Sequence, residues 1–106
     1  MITYEQNLDS GEQRIMFWCQ GCKNIHCVRT KPPTAHPTWE VWGYDGNAEK
    51  PTFSPSVLTN GSEPERRCHI FVKAGMIEYL GDCFHDLKNT TVPLMPLPFG
   101  KEYFEH

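Results

Sequence analysis

Two clusters of thiols and imidazoles constrain this chain more than anything else in it: Cys19-Gln20-Gly21-Cys22, and a second group spread over Cys68, His69, Cys83 and His85. Two cysteines separated by two residues can present both sulfurs from one tight turn, and zinc in a structural site takes four nitrogen or sulfur ligands in a tetrahedron. A lone pair of this kind also suits a thioredoxin-like redox motif, but no βαβ pattern surrounds it, and the second cluster can complete a site. The fold must therefore bring the two clusters to one point.

The rest of the composition agrees with a small domain stapled in this way. The 106 residues suffice for one hydrophobic core. Nine prolines and eight glycines interrupt nearly every long stretch, which disfavours extended helices and favours short strands with turns. Five cysteines are poor arithmetic for a disulfide framework. The first residues lack the basic start and apolar run of a signal peptide, and no segment approaches the roughly 20 apolar residues of a membrane span. A reducing cytoplasm is the expected location.

The expected fold is mainly β: a small antiparallel domain of five to seven short strands with at most one short helix, held by one zinc ion. Residues 1–13 are polar and unpatterned and are expected to form a flexible N-terminal arm or an edge segment, leaving residues 14–106 as the single zinc-binding domain. Arg14 to Trp18 is expected as a strand feeding the CQGC turn, with Ile25 to Thr30 as its return. Residues 39–44, WEVWGY, read as a strand ending at an Asp45-Gly46 turn. PTFSPSVL, residues 51–58, carries two prolines and reads as an edge strand or ordered loop. HIFVK, Ala74-Gly75 and MIEYL form a hairpin, so Cys68 and His69 should lie near Asp82, Cys83 and His85 at its open end. FHDLKN is expected to make one helical turn before the proline-enforced extended tail.

For the metal, neighbours on a strand point to opposite faces, so Cys68 and His69 should not both be ligands. The expected set is Cys19, Cys22, Cys68 and His85, with His69 and Cys83 as substitutes. Cys27 reads as a small buried hydrophobe. His26 either reaches the metal region, as a supporting or acid/base group, or sits on the surface. Asp82 is either the acceptor for the free ring N–H of a zinc-bound histidine or a turn residue. His36 and His106 carry no signal. Trp18, Trp39, Trp42, Tyr44 and Phe53 read as core rather than as an aromatic ligand platform.

Taken together, FWCQGC with His26, WGYDGN, PTFSPSVL and CHIFVKAGMIEYLGDCFHDL followed by TVPL resemble a small cysteine- and histidine-rich family encoded by tailed phages and prophages, often labelled ammonia monooxygenase. The resemblance covers about residues 15 to 94. It implies a phage-derived protein acting in the host cell cytoplasm, with Cys19, Cys22, His26, Cys68, His69, Asp82 and His85 on recurrent positions of the family. Gln20 stands where the family usually has proline or a similar residue, and the tract KNTTV lacks a usual glycine. A soluble chain with cysteine-rich ligation suits neither a membrane oxygenase nor its copper site.

Two functions follow from these readings. The first is a non-catalytic zinc module that docks on a host or phage protein, in host takeover or anti-defence. The alternative is a small zinc-dependent hydrolase with an open metal position and His26 or His69 as acid/base. The HExxH and HxE…PCxxC signatures are missing, which weakens the second. A formal charge of −3 disfavours a third, nucleic-acid binding through a zinc-knuckle-like loop, and Arg66, Arg67 and Lys73 read as solvated surface.

Overall fold

The computed structural model describes residues 1–105; His106 lies outside them. Among the described residues eight strands form two antiparallel sheets. The first sheet is β1 (Thr3–Asn7), β2 (Gln13–Cys19) and β3 (Asn24–Lys31), in that order. The second is a five-stranded meander of β4 (Gly43–Tyr44), β5 (Phe53–Thr59), β6 (Cys68–Lys73), β7 (Met76–Tyr79) and β8 (Thr91–Pro93). One short 3₁₀ turn, Lys101–Tyr103, follows. The mainly β, antiparallel class is as the sequence indicates. Among the described residues no helix is long and apolar enough to cross a membrane.

Period-two patterning places the core between the sheets. Along β2, Ile15, Phe17 and Cys19 are fully buried, and along β6, Cys68, Ile70 and Val72 are. Phe17 stacks on Phe53 across the layers, with ring centroids 5.7 Å apart. The β6–β7 hairpin turns through Ala74 and Gly75, both with positive φ (49° and 78°), the geometry that a tight hairpin demands and glycine adopts without strain.

Several expectations are corrected. Of the two readings for the N-terminal segment, residues 3–7 form the edge segment and not the arm: Thr3 to Asn7 pair in register with Phe17 to Gln13. Thr3 is buried, and its hydroxyl donates to the Ala48 carbonyl at 2.9 Å. An edge strand is held by main-chain bonds that its polar outer side chains do not reveal. The described residues form eight strands, because β1 and β8 are short edge additions. Of WEVWGY only Gly43–Tyr44 is a strand, and Trp39 is exposed, stacked on His36 with centroids 4.4 Å apart. FHDLKN makes turns and no helix. Cys27 points outward because its neighbours His26 and Val28 on β3 point inward.

β5 is not an edge. It lies between β4 and β6, and its one proline, Pro55, is tolerated because pairing with β6 breaks between Phe53 and Val57, while Pro51 precedes the strand. The Ser54-Pro55 peptide in that break is cis. The irregularity sets Ser56 beside β6 at the point where His69 stands opposite Leu58.

Candidate active site and metal centre

On the inner side of β6, the sulfurs of Cys19 at the end of β2, Cys22 on the following turn and Cys68 at the start of β6 converge with the ring of His26 from β3. Their ligand atoms all lie within 4.8 Å of one another. Cys19 and Cys68 Sγ are 3.9 Å apart, close to the roughly 3.8 Å edge of a zinc tetrahedron with 2.3 Å bonds to sulfur. Buried His26 Nε2 has no hydrogen-bond partner, and a buried ring nitrogen without one is costly unless something else takes its lone pair. A cavity of about 150 Å³, lined in part by Cys22, His26, Thr59 and Arg66, opens beside the group.

The local sequence explains the convergence. Gly21 permits the turn and leaves room: a Cβ there would sit 2.2 Å from the His85 ring. The Gly21 N–H donates to Tyr79 Oη at 3.2 Å, and the Cys22 N–H donates to Cys19 Sγ at 3.3 Å. Tyr79 Oη also lies 3.3 Å from Cys19 Sγ.

Charge divides unevenly among the thiols. The contact with Cys68, and then His26, holds Cys19 well below the usual thiol range. Burial, and then the Cys19 charge, push Cys22 up. Cys68 is raised by its contact with Cys19 and by burial. The cluster by itself therefore supports one thiolate, and a divalent cation is what would allow the other sulfurs to ionise. The donor set fits a soft or borderline metal.

Of the expected ligands, Cys19, Cys22 and Cys68 are brought together. His85 is buried against the same sulfur from the other side, with Nε2 3.5 Å from Cys68 Sγ, and it forms a second, overlapping group with Cys68 and Cys83. His26, left open by the sequence, stands in the first group. His69 is outside both groups.

The outer side of β6 carries a different constellation. Burial alternates along the strand, so His69 faces away from the sulfurs and remains 27% exposed. Its Nε2 is 2.9 Å from Ser56 Oγ, and its Nδ1 is 3.3 Å from Asp82 Oδ2. With Nδ1–H donating to the carboxylate, Nε2 is left as the acceptor for the Ser56 hydroxyl. This is the order serine, histidine, aspartate that activates a serine for attack on an acyl group. Trp42 Nε1–H donates to the Ser56 carbonyl at 3.1 Å and steadies the main chain there.

A family model described as "Bacterial ubiquitination-like system serine protease (BubE)" matches residues 2–80. The chain belongs to the BubE family. Ser56 and His69 lie within the matched span, and Asp82 lies just beyond it. The family is described by a bacterial ubiquitination-like system and a serine protease, and the match does not bear on the phage origin that the resemblance above implies. No curated protein and no solved structure matches the chain.

Sequence reasoning missed Ser56. It sits in PTFSPSVL without a G-x-S-x-G elbow, and only the pairing of β5 with β6 brings it to His69. Asp82, as an acceptor, was expected to meet a zinc-bound histidine; the ring it meets is that of His69, which stands outside both metal-capable groups.

Proposed function

We propose that this BubE-family chain is a serine protease in which Ser56 is the nucleophile, His69 the general acid and base, and Asp82 the group that orients and supports His69. A zinc ion held by Cys19, Cys22, His26 and Cys68 staples the two sheets together. The observation that carries the reading is the His69 ring held between Ser56 Oγ at 2.9 Å and Asp82 Oδ2 at 3.3 Å.

The chemistry follows from that relay. Ser56 Oγ attacks the acyl carbon of an amide while its proton passes to His69 Nε2, and Asp82 stabilises the imidazolium. The C–N bond then breaks, and His69 returns the proton to the leaving amine. Water, deprotonated by His69, attacks the acyl-serine ester and releases the acid, with the proton returning to Ser56. Zinc would supply cross-linking of the fold, not a reactant. The family's description supports an amide within a protein of a bacterial ubiquitination-like system as the substrate.

This reading is favoured over a zinc hydrolase because His69 is engaged with Ser56 and Asp82 on the face opposite the sulfurs. It is favoured over a purely structural docking module because such a module needs no serine–imidazole–carboxylate relay. Incubation with a fluorophosphonate ester followed by intact-mass measurement tests it. The wild type should gain one adduct, mapped to Ser56, and Ser56→Ala should gain none. An adduct of equal yield in Ser56→Ala would refute the assignment.

A further inference from the structure

The turn after β7 meets His69 twice. The Cys83 N–H donates to the Leu80 carbonyl at 3.2 Å, closing a four-residue turn with Gly81 and Asp82 at its centre. From this turn the Asp82 carboxylate reaches the His69 ring. From the next residue the thiol of Cys83 reaches the His69 main chain. The His69 N–H donates to Cys83 Sγ at 3.3 Å, and the thiol donates to the His69 carbonyl, also at 3.3 Å. The Leu80 N–H donates to that same carbonyl at 3.0 Å.

In a continuing antiparallel ladder the His69 N–H would meet a carbonyl of the neighbouring strand. β7 ends at Tyr79, and the sulfur takes that place. Cys83 is only 5% exposed, so packing fixes its side chain and a buried main-chain donor is satisfied.

We infer that Cys83 is a positioning residue for His69: its thiol holds the main chain from within the fold while Asp82 holds the ring, so a single turn fixes the general base at two points. The inference rests on the serine-protease reading. It requires an S–H group that both accepts and donates, and hence a Cys83 that does not ligate the metal, although Cys68 and His85 are close to it. A catalytic group displaced by about 1 Å can cost on the order of 100-fold in rate.

The test uses the full chain with its zinc and a fluorophosphonate ester as the probe. Ser56 Oγ bonds to phosphorus, fluoride leaves, and the hydroxyl proton passes to His69. The concentration dependence of labelling separates the maximal rate, kinact, from the half-saturating concentration, KI. Cys83→Ala should lower kinact roughly 10- to 100-fold with KI and zinc content unchanged. Cys83→Ser offers the same donor and acceptor but is a poor zinc ligand, so it should recover most of the lost kinact.

Wild-type kinact in a folded Cys83→Ala chain would overturn the inference. So would a Cys83→Ser chain that loses zinc and labelling together, since Cys83 would then be a ligand. Should Cys83→Ala fail to fold, the serine variant decides by the same criteria. A wild type that is not labelled fails the protease reading and takes the inference with it, whereas a labelled wild type with an indifferent Cys83→Ala fails the inference alone.

Discussion

Cys68 and His69 are adjacent on β6, and their side chains leave the sheet from opposite faces: the thiol is fully buried among the sulfurs, and the imidazole stands outside between Ser56 and Asp82. Alternation along one strand thus separates the sulfur cluster from the Ser56–His69–Asp82 constellation. The same separation recurs at Asp82 and Cys83, where the carboxylate faces out and the thiol faces in. The two sites share the main chain of β6 and of the turn after β7, so loss of the inner cluster should loosen the outer relay.

The outer relay makes Asp82 a sharper probe than a simple deletion. Asp82→Asn keeps the size of the side chain but no longer stabilises the imidazolium and can present a donor to Nδ1, favouring the wrong tautomer. The turnover rate should fall by about 10²- to 10⁴-fold, toward the lower end because Asp82 is 42% exposed and water can partly substitute. Folding and zinc content should be unchanged. Steady-state kinetics beside a thermal melt checks this, and undiminished turnover would remove Asp82 from the relay.

For the inner cluster, His26 and His85 compete for the fourth position, and geometry favours His26. Its ring nitrogen is within 4.8 Å of all three sulfurs, whereas His85 groups only with Cys68 and Cys83. About one zinc per chain is expected by elemental mass spectrometry. Cys19→Ser, Cys68→Ser and His26→Ala should each lose it with a large fall in melting temperature, and a chelator should do the same to the wild type. His85→Ala should retain zinc; its loss there, with retention in His26→Ala, would move the fourth ligand to His85.

Much of the inner site was legible because spacing alone reports it: CQGC on one turn, and a hairpin whose β-rich runs surround Ala74-Gly75. The hairpin also puts His69 near Asp82. Ser56 was hidden because its partner is set by which strand lies beside β6, and strand order is not written in local pattern. The prolines of PTFSPSVL pointed to an edge strand or an ordered loop, whereas Pro51 lies before β5 and the break in the ladder lets Pro55 sit inside the sheet. β1 was hidden for another reason: only Thr3 of its five residues is buried, so no alternating apolar pattern marks it. His26 was named from the sequence with a surface position as its alternative, and the register of β3 turns it and Val28 inward and Cys27 outward.

The three-stranded sheet carries its own pH dependence. Glu12 is 5% exposed and accepts from Arg14 at 3.0 Å and from Arg29 at 2.7 Å. These hydrogen bonds, that of Arg14 first, hold its carboxyl below the ordinary value of 4.5. A carboxylate with a lowered folded-state pKa stabilises fully above the unfolded value and loses that contribution as pH falls through the folded one. Melting temperature should therefore drop on acidification below pH 4.5. Glu12→Gln should lower the melting temperature near neutrality and flatten that acid limb; an unchanged limb would show that Glu12 does not govern it.

Tyr79 links the hairpin to the CQGC turn through one hydroxyl. It is 1% exposed, accepts from the Gly21 N–H at 3.2 Å and lies 3.3 Å from Cys19 Sγ. Tyr79→Phe removes the oxygen while keeping the ring that meets His85 edge-on, with centroids 4.8 Å apart. Any change then reports the hydroxyl rather than packing. Leaving the Gly21 N–H without its acceptor should cost about 1–3 kcal/mol of stability, read from denaturant unfolding. Because the hydroxyl also supports a metal-binding sulfur, zinc affinity should fall roughly 10- to 100-fold in competition with a chromophoric chelator. Lost stability with unchanged zinc affinity would confine Tyr79 to holding the turn, and the Cys19 contact would then contribute nothing to the metal centre.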